Sequence, residues 1–362
     1  MSRYVGVRDD SLKIGEGETM ASNNEGVLFV PHADTVDLLN AGEALRIAED
    51  VYRMQNVGSV MASSPPSFKL DVGEPFHNHW HVKCALLKEI PITGVRLYNY
   101  FDDGERNTVG QLECGRYIIL ADPNTGTTKA IVEEHWTYGI RSAAATLLPL
   151  KWLGPKNPKI VGLIGVGTMA SCALRCLMEL HDGIEEIRCT SRRPETREAF
   201  AAKWSEKLGI KFVPMDSVEE VVTGADIGIG GTTSDEIMCR EAWVKPGAAY
   251  VSFARREFEP EGWTKMDKVV IDSWEMNMKM KHFRNSADSG LFTRENLYGE
   301  IHQLVQGQVA GRESETERNL IHTTGLVAHD IAMCHYVYEK ALDKGLGIRL
   351  PFTGIGNPGP AD

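Results

Sequence analysis

The 362-residue chain has no apolar run long enough to span a membrane. Its first 25 residues are polar and glycine-rich, not a basic start followed by an apolar core. Neither a membrane span nor an export signal is expected, and the opening ~20 residues are expected to fray or to pack on a partner subunit. Cysteine is sparse and unpaired in pattern: Cys84, Cys114, Cys172, Cys176, Cys189, Cys239 and Cys334 are scattered, odd in number and free of any C-x-x-C spacing. That usage fits a reducing, cytoplasmic setting. Positive charge is in deficit, 39 Lys and Arg against 50 Asp and Glu for a net charge of -11, which is the wrong sign for a nucleic-acid partner. No internal repeat or low-complexity block is visible. With 42% apolar and 25% charged residues, the chain has the composition of a globular protein long enough for two cores.

What is present begins at Lys159-Ile-Val-Gly-Leu-Ile-Gly-Val-Gly-Thr-Met-Ala170. Ile160 to Ile164 read as a strand buried on both faces. Met169, Cys172, Ala173, Cys176, Leu177 and Leu180 then recur at helical spacing. Between them, Gly165 permits a tight turn, Gly167 lets a pyrophosphate approach the backbone, and Ala170 is small enough for close helix–strand packing. The amides around Thr168 and Met169 would face the phosphates, assisted by the helix dipole. The segment therefore predicts a dinucleotide site, with a ligand-free strand-turn-helix as the alternative.

The next strand bears on which dinucleotide. Ile187-Arg-Cys-Thr190 runs into Ser191-Arg192-Arg193-Pro194, with no carboxylate where an NAD-binding unit places one on the ribose hydroxyls. Two guanidiniums and the Ser191 hydroxyl suit a 2′-phosphate, so NADP(H) is expected in preference to NAD(H), which stays possible. A solvated basic turn is the competing reading.

Patterning predicts a strand at Val27 to Val30, a helix from Asp34 to Met54, and a broken β-rich region from Ser59 to Ile131. That region includes strands at Gly94 to Tyr100 and Tyr117 to Ala121. A helix over Glu133 to Leu153 is expected to link two domains. Strands follow near 160–165, 186–190, 210–214, 226–230, 248–253 and 268–272, with helices beginning near Thr168, Pro194, Ser217 and Cys239. This alternation predicts an α/β fold, a Rossmann doubly wound parallel sheet of six strands, plus a discontinuous α+β substrate and dimerisation domain. Beyond Asn296 the chain reads as helical again, with Ile321 to Ala341 strongly apolar, and Leu350 to Asp362 as an irregular tail. The expected boundaries are 1–140 with 325–362 for the discontinuous domain and 141–324 for the nucleotide-binding one.

The order of these features resembles the ornithine cyclodeaminase/mu-crystallin family, from about Val27 to Gly347. Gly94-Val-Arg-Leu-Tyr is similar to its G-x-K segment, and Ile119-Leu-Ala-Asp122-Pro-Asn-Thr-Gly126 to its strand and D-x-x-T-G turn. Thr137-Tyr-Gly-Ile-Arg141-Ser-Ala-Ala resembles its T-x-x-R-T-A-A helix start, and Thr324-Gly325-x-x-x-x-Asp330 its closing motif. The resemblance implies a homodimer with NAD(P) bound in the cleft and chemistry at an amine- or imine-bearing carbon beside a carboxylate. It implies that Arg141 binds the substrate carboxylate and that Thr232 and Gly325 lie along the cofactor.

Several positions depart from the family pattern. Arg96 stands where the family usually has a lysine, and a guanidinium binds carboxylate but is a poor proton shuttle. Ser67 falls where the family's carboxylate-binding arginine would, with Lys69 two residues on, which makes an acidic or unusual substrate plausible. Aligned without gaps, the resemblance puts Lys83 where relatives carry an apolar pocket residue, which makes it a candidate proton donor, with a surface lysine as the competing reading. Ala254 replaces the Asp that assists ring closure in cyclodeaminases, which shifts the expectation toward an imine reductase or amino-acid dehydrogenase. A cyclodeaminase and a non-enzymatic NADPH binder are the alternatives. His77-Asn-His79-Trp-His81 has the alternation of a strand-borne metal site but no convincing fourth ligand, so no metal is expected. His81 or His79 could instead act as general acid.

Overall fold

Two sheets joined through one buried helix organise the chain. The computed structural model describes residues 26–71, 78–101, 115–232, 234, 236–253 and 257–351. The N-terminal part begins with β1 (Val27–Val30), α1 (His32–Leu38) and α2 (Ala41–Asn56). It continues through β2 (Val60–Ala62), β3 (Phe68–Asp71), β4 (Asn78–Leu87), β5 (Ile92–Phe101), β6 (Arg116–Ala121) and β7 (Thr128–Glu133). The single helix expected over 34–54 is two helices, because Leu39 is extended and the Asn40 side chain caps α2 by accepting from the Glu43 amide at 2.9 Å. The helix expected over 133–153 also divides, into α3 (His135–Leu147) and α4 (Leu150–Leu153). Pro149 between them has no N–H for the ladder, and its ring opposes a continuous helix.

The second sheet starts with β8 (Ile160–Ile164), α5 (Thr168–Leu180), β9 (Glu186–Thr190), α6 (Pro194–Leu208), β10 (Lys211–Pro214), α7 (Val218–Val222) and β11 (Ile227–Gly230). There follow β12 (Ala249–Phe253), β13 (Lys268–Ile271), α8 (Trp274–Asn277), α9 (Lys281–Asp288), β14 (Gly299–Glu300), α10 (Ile301–Val305) and β15 (Asn319–Thr323). The chain then forms α11 (Val327–Lys344) and β16 (Ile348–Leu350), which pairs with β1; residues 352–362 of the expected tail lie outside the described residues.

Among the described residues the second sheet has eight parallel strands in the order β10-β9-β8-β11-β12-β15-β13-β14, not six. The two unexpected members, β14 and β15, both fall in a stretch read as helical. The strand β14 lies at the edge, whereas β15 sits between β12 and β13, with Leu320 opposite both Tyr250 and Val269. All five of its residues are buried. A short apolar run buried on both faces has no alternation to distinguish it from a core helix. Near Cys239 the expected helix is only a 3₁₀ turn at Glu241–Trp243.

The first sheet runs β16-β1-β7-β6-β5-β4-β2, with β3 paired on β4 as well. The helix α11 covers its inner face across β4, β5 and β6. The helix α3 packs on α2, α5 and α11 and touches β12 and β15. Its contact with α5 depends on a glycine, since a Cβ on Gly139 would stand 2.9 Å from Cys172 Sγ. This places Arg141, on α3, between the two sheets. No described helix is long and apolar enough to cross a membrane.

Candidate active site

The glycine turn expected to meet phosphates follows β8. Gly165 has φ +93°, and a Cβ there would meet Gly231 O at 2.8 Å, so only glycine fits. Gly167 is the N-cap of α5, contributes no side-chain cap, and has open space where a Cβ would project. The first amides of a 13-residue helix are thereby left available to an anion, and Ala170 is buried against the sheet. These features fit a dinucleotide pyrophosphate, with Thr168 and Met169 supplying amides. Ser191 follows β9, its Oγ donating to Arg193 O at 3.0 Å, while Arg192 and Arg193 are exposed. Thr232 lies beyond β11, its Oγ1 accepting from Ser234 N at 2.8 Å.

Gly325 follows β15 at φ +85°, and a Cβ there would approach Arg141 Nη1 to 2.6 Å. Its position is fixed by Asp272, a fully buried carboxylate at the end of β13. Asp272 accepts from the Gly325 amide at 2.6 Å, the Thr324 amide at 2.8 Å and Asn277 Nδ2 at 3.0 Å. Burial raises the proton affinity of Asp272, and the surrounding donors counter it. Arg141 is thus held at the carboxyl ends of the parallel strands, where ligands bind in open α/β sheets.

The other wall is the inner face of the first sheet, where cross-strand pairing brings Lys83 opposite Arg96, His81 opposite Tyr98, and Arg116 opposite Tyr98 from the far side. Arg96 is 2% exposed and gripped by Glu134: Nε donates to the two carboxylate oxygens at 2.9 and 2.7 Å, and Nη2 donates at 2.6 Å. Asp330, on α11, receives Arg141 Nε at 2.6 Å and lies 3.6 Å from Arg96 Nε. Burial opposes the charge on Arg96, but Asp330 and Glu134 overcome it and hold its proton more tightly than usual. Burial likewise opposes the charge on Asp330, and Arg141, Arg96 and Lys83 keep it below the usual carboxylate range. The Tyr138 ring is shared by three guanidiniums, with Arg116, Arg96 and Arg141 centred 4.8, 5.0 and 5.0 Å from it.

Lys83 is half-buried and has no hydrogen bond or ion pair among the described residues. Burial, reinforced by Arg96, lowers its pKa to about 8. His81 stacks on Tyr98 at 4.8 Å and meets His79 edge-to-face at 4.8 Å. Burial, then His79 and Lys83, bring the His81 pKa down to about 4, so its imidazole is neutral at pH 7. Lys69 is exposed on β3 opposite His81. His77 and Ala254 lie outside the described residues.

A family model described as the ornithine cyclodeaminase/mu-crystallin family matches residues 30–345. The chain belongs to that family. N-((2S)-2-amino-2-carboxyethyl)-L-glutamate dehydrogenase of Staphylococcus aureus is 28% identical over 235 residues, 64% of this chain and 70% of that protein. Among solved structures, Thermococcus litoralis Delta(1)-pyrroline-2-carboxylate reductase in complex with NADH and L-proline has a TM-score of 0.83 at 25% identity, covering 90% of this chain and 100% of that one. An archaeal alanine dehydrogenase dimer with bound NAD has a TM-score of 0.81 at 25% identity, covering 90% and 99%. The Rossmann-type doubly wound sheet beside a second α/β layer is the architecture of these family members.

The sequence-derived residues fall into three groups. Gly165, Gly167, Thr168, Met169, Ser191, Arg192, Arg193 and Thr232 follow the ends of β8, β9 and β11, while Gly325 follows β15 and meets Arg141. Arg96, Lys83 and His81 share one sheet face, with Lys69 at its edge strand. Sequence reasoning passed over Glu134, Arg116, Tyr138 and Asp272, whose roles arise from pairing across strands and helices. Asp330 was in view as part of a motif, without its role as counter-ion. Replacing Glu134 by Gln strands a buried guanidinium, and urea unfolding should register a loss of about 3 kcal/mol or more.

Proposed function

We propose that the chain is an NAD(P)H-dependent imine reductase or amino-acid dehydrogenase, acting on a C=N carbon that bears a carboxylate. The observation that carries this reading is Arg141. Asp330 takes only its Nε, Nη1 and Nη2 have no protein partner among the described residues, and the group lies against Gly325 at the mouth of the parallel sheet. A guanidinium with its terminal nitrogens available is the natural clamp for a carboxylate. The names of the Thermococcus and Staphylococcus relatives, a reductase and a dehydrogenase of amino- or imino-acid substrates, support the same class.

When bound, the reduced nicotinamide supplies a hydride. The chain's own residues do the rest. Arg141 fixes the carboxylate and so the face of the C=N bond turned to the cofactor. As the carbon receives hydride, the π pair moves to nitrogen, which takes a proton from Lys83 Nζ if the imine arrives neutral. Lys83 suits this role because its pKa of about 8 leaves it protonated but acidic near neutrality. His81 does not, since a pKa of about 4 leaves no stored proton at pH 7. Arg96, held by Glu134 through Nε and Nη2, is the charged floor that weakens the hold of Lys83 on its proton. Holding both partners in one enclosed cleft contributes through proximity.

NADP(H) is the preferred cofactor in this proposal, although the Thermococcus reductase holds NADH. The support is the exposed Arg192–Arg193 pair, with Ser191, at the end of β9 and the absence of a carboxylate there. A homodimer is also proposed. Met61, Phe68 and Leu70 are 53, 60 and 54% exposed on the edge strands β2 and β3, apolar surface that a second copy would cover.

Four outcomes are expected. NADPH absorbance should fall with imines formed from 2-oxo acids and amines. With neutral imines kcat should decline as pH rises through about 8, and Lys83→Met should lose about 100-fold in kcat together with that alkaline limb; failure to consume NADPH or NADH with any carboxyl-bearing imine would overturn the reading. Arg192→Ala should cut the NADPH-to-NADH ratio of kcat/KM by about 10-fold or more. Phe68→Asp should shift the light-scattering mass from dimer toward monomer.

A further inference from the structure

A lysine withdrawn from water on a sheet strand is normally answered by a carboxylate. Elsewhere in this fold that is the arrangement. Lys268 on β13 is 5% exposed, and its Nζ donates to Glu313 at 2.7 Å with Glu317 3.4 Å away. Lys129 on β7 lies 3.3 Å from Asp122. Lys83 on β4 is treated oppositely. Arg96 stands directly across the strand pair, the Tyr98 ring is centred 5.9 Å from Nζ, and Nζ has neither hydrogen bond nor ion pair among the described residues. The carboxylates that act on it from farther off, Asp330 and Glu134, are committed to Arg141 and Arg96.

An unanswered ammonium beside guanidiniums is costly, and the cost falls when the nitrogen sheds its proton. Burial and then Arg96 bring the Lys83 pKa down to about 8. At pH 7 roughly a tenth of the chains then carry a neutral amine at this position, about 200-fold more than for an ordinary lysine. A neutral lysine amine beside a second cation is the form that adds to carbonyl carbons. Arg141 can bring a carbonyl to it. The charge of Asp330 is acted on by Arg141, Arg96 and Lys83 together, so the guanidinium with open terminal nitrogens and the amine border the same carboxylate.

We propose that Lys83 builds the C=N bond as well as serving its reduction: Nζ adds to the carbonyl carbon of a 2-oxo acid held through its carboxylate on Arg141, and the lysine-bound iminium is then exchanged for the incoming amine. The proposal rests on the reductase reading and adds the step that supplies its substrate. In the first half the Nζ lone pair forms the C–N bond while the carbonyl π pair moves to oxygen, which takes a proton from Nζ. The nitrogen lone pair then expels hydroxide, which leaves as water with the proton that the incoming ammonium gives up on becoming a nucleophile. In the second half that amine adds to the same carbon, and the C=N π pair returns to Nζ. One proton passes from the new nitrogen to Nζ, whose bond to carbon breaks as the new nitrogen forms its own C=N. Lys83 is released neutral and the substrate iminium is left already protonated, the case in which no further proton is needed for hydride transfer. Exchange has to precede that transfer, because reduction of the lysine-bound iminium would leave Lys83 alkylated.

The test begins with wild-type protein, pyruvate and cyanoborohydride, without amine or nicotinamide, read by intact mass and peptide mapping. One carboxyethyl group per chain should appear on Lys83, about 10-fold or more faster than on any other lysine. Acetone, a carbonyl without the carboxylate, should label Lys83 about 10-fold more slowly than pyruvate does. A kinetic arm compares NAD(P)H oxidation with pyruvate plus methylamine against a preformed cyclic imino acid, which needs no exchange. Lys83→Met should lose about 10-fold or more additional kcat/KM on the first pair relative to the second. Labelling of Lys83 no faster than that of exposed lysines, or equal losses on the two substrates in Lys83→Met, overturns the proposal, and continued imine reduction by the wild type leaves the reductase reading intact. Selective labelling of Lys83 without reduction of any imine sustains the covalent step and overturns the reductase reading.

Discussion

Two buried carboxylates, Glu134 and Asp330, make it possible for a cluster of guanidiniums to exist between the sheets at all. A lone arginine in that space would bear a desolvation cost of several kcal/mol. Glu134 offsets it for Arg96 through three hydrogen bonds, and Asp330 does so for Arg141 through one. The unequal division matters. The fork of Arg96 is largely consumed and serves as floor, whereas Arg141 is anchored at one nitrogen and keeps its terminal groups for a ligand. Tyr138, against three guanidiniums, adds an aromatic face that accepts their planar charge without neutralising it.

The same arrangement depends on how the two layers meet. Glu134 stands at the N-cap position of α3 and Arg141 lies two turns in, so one helix supplies both the counter-ion for the first sheet and a guanidinium facing the second. Gly139 allows α3 to approach α5 closely, and Asp272 pins the Thr324–Gly325 turn against Arg141. The glycine turn after β8, Arg141 and Lys83 thus come from distant parts of the chain but are held by rigid elements.

Much of the fold was legible because its signals are local. The turn glycines of β8, the periodicity of α5, and the alternation in β5 and β6 each follow from neighbours within a few residues. The places where the reading failed share a different cause. Asn40 and Pro149 divide helices whose apolar stripes run through the break, so periodicity alone missed them. The central strand β15 was hidden because burial on both faces erases the alternation that identifies a strand. In the site, Arg141 and Arg96 were noticed through a resemblance, but Arg116, Glu134 and Asp272 carried no motif. Their meaning comes from partners 38 residues away for Glu134 and 52 or 53 for Asp272.

By itself, the sequence determined the dinucleotide turn, the basic end of the following strand, and the family, since each is written in residues adjacent along the chain. The tertiary structure decided which cations are spent on counter-ions and which stay available, that His81 is neutral while Lys83 is a poised acid, and that one sheet face is lined with positive charge. Those properties depend on burial and on distances between residues far apart in the chain, and neither quantity exists until the two layers have packed.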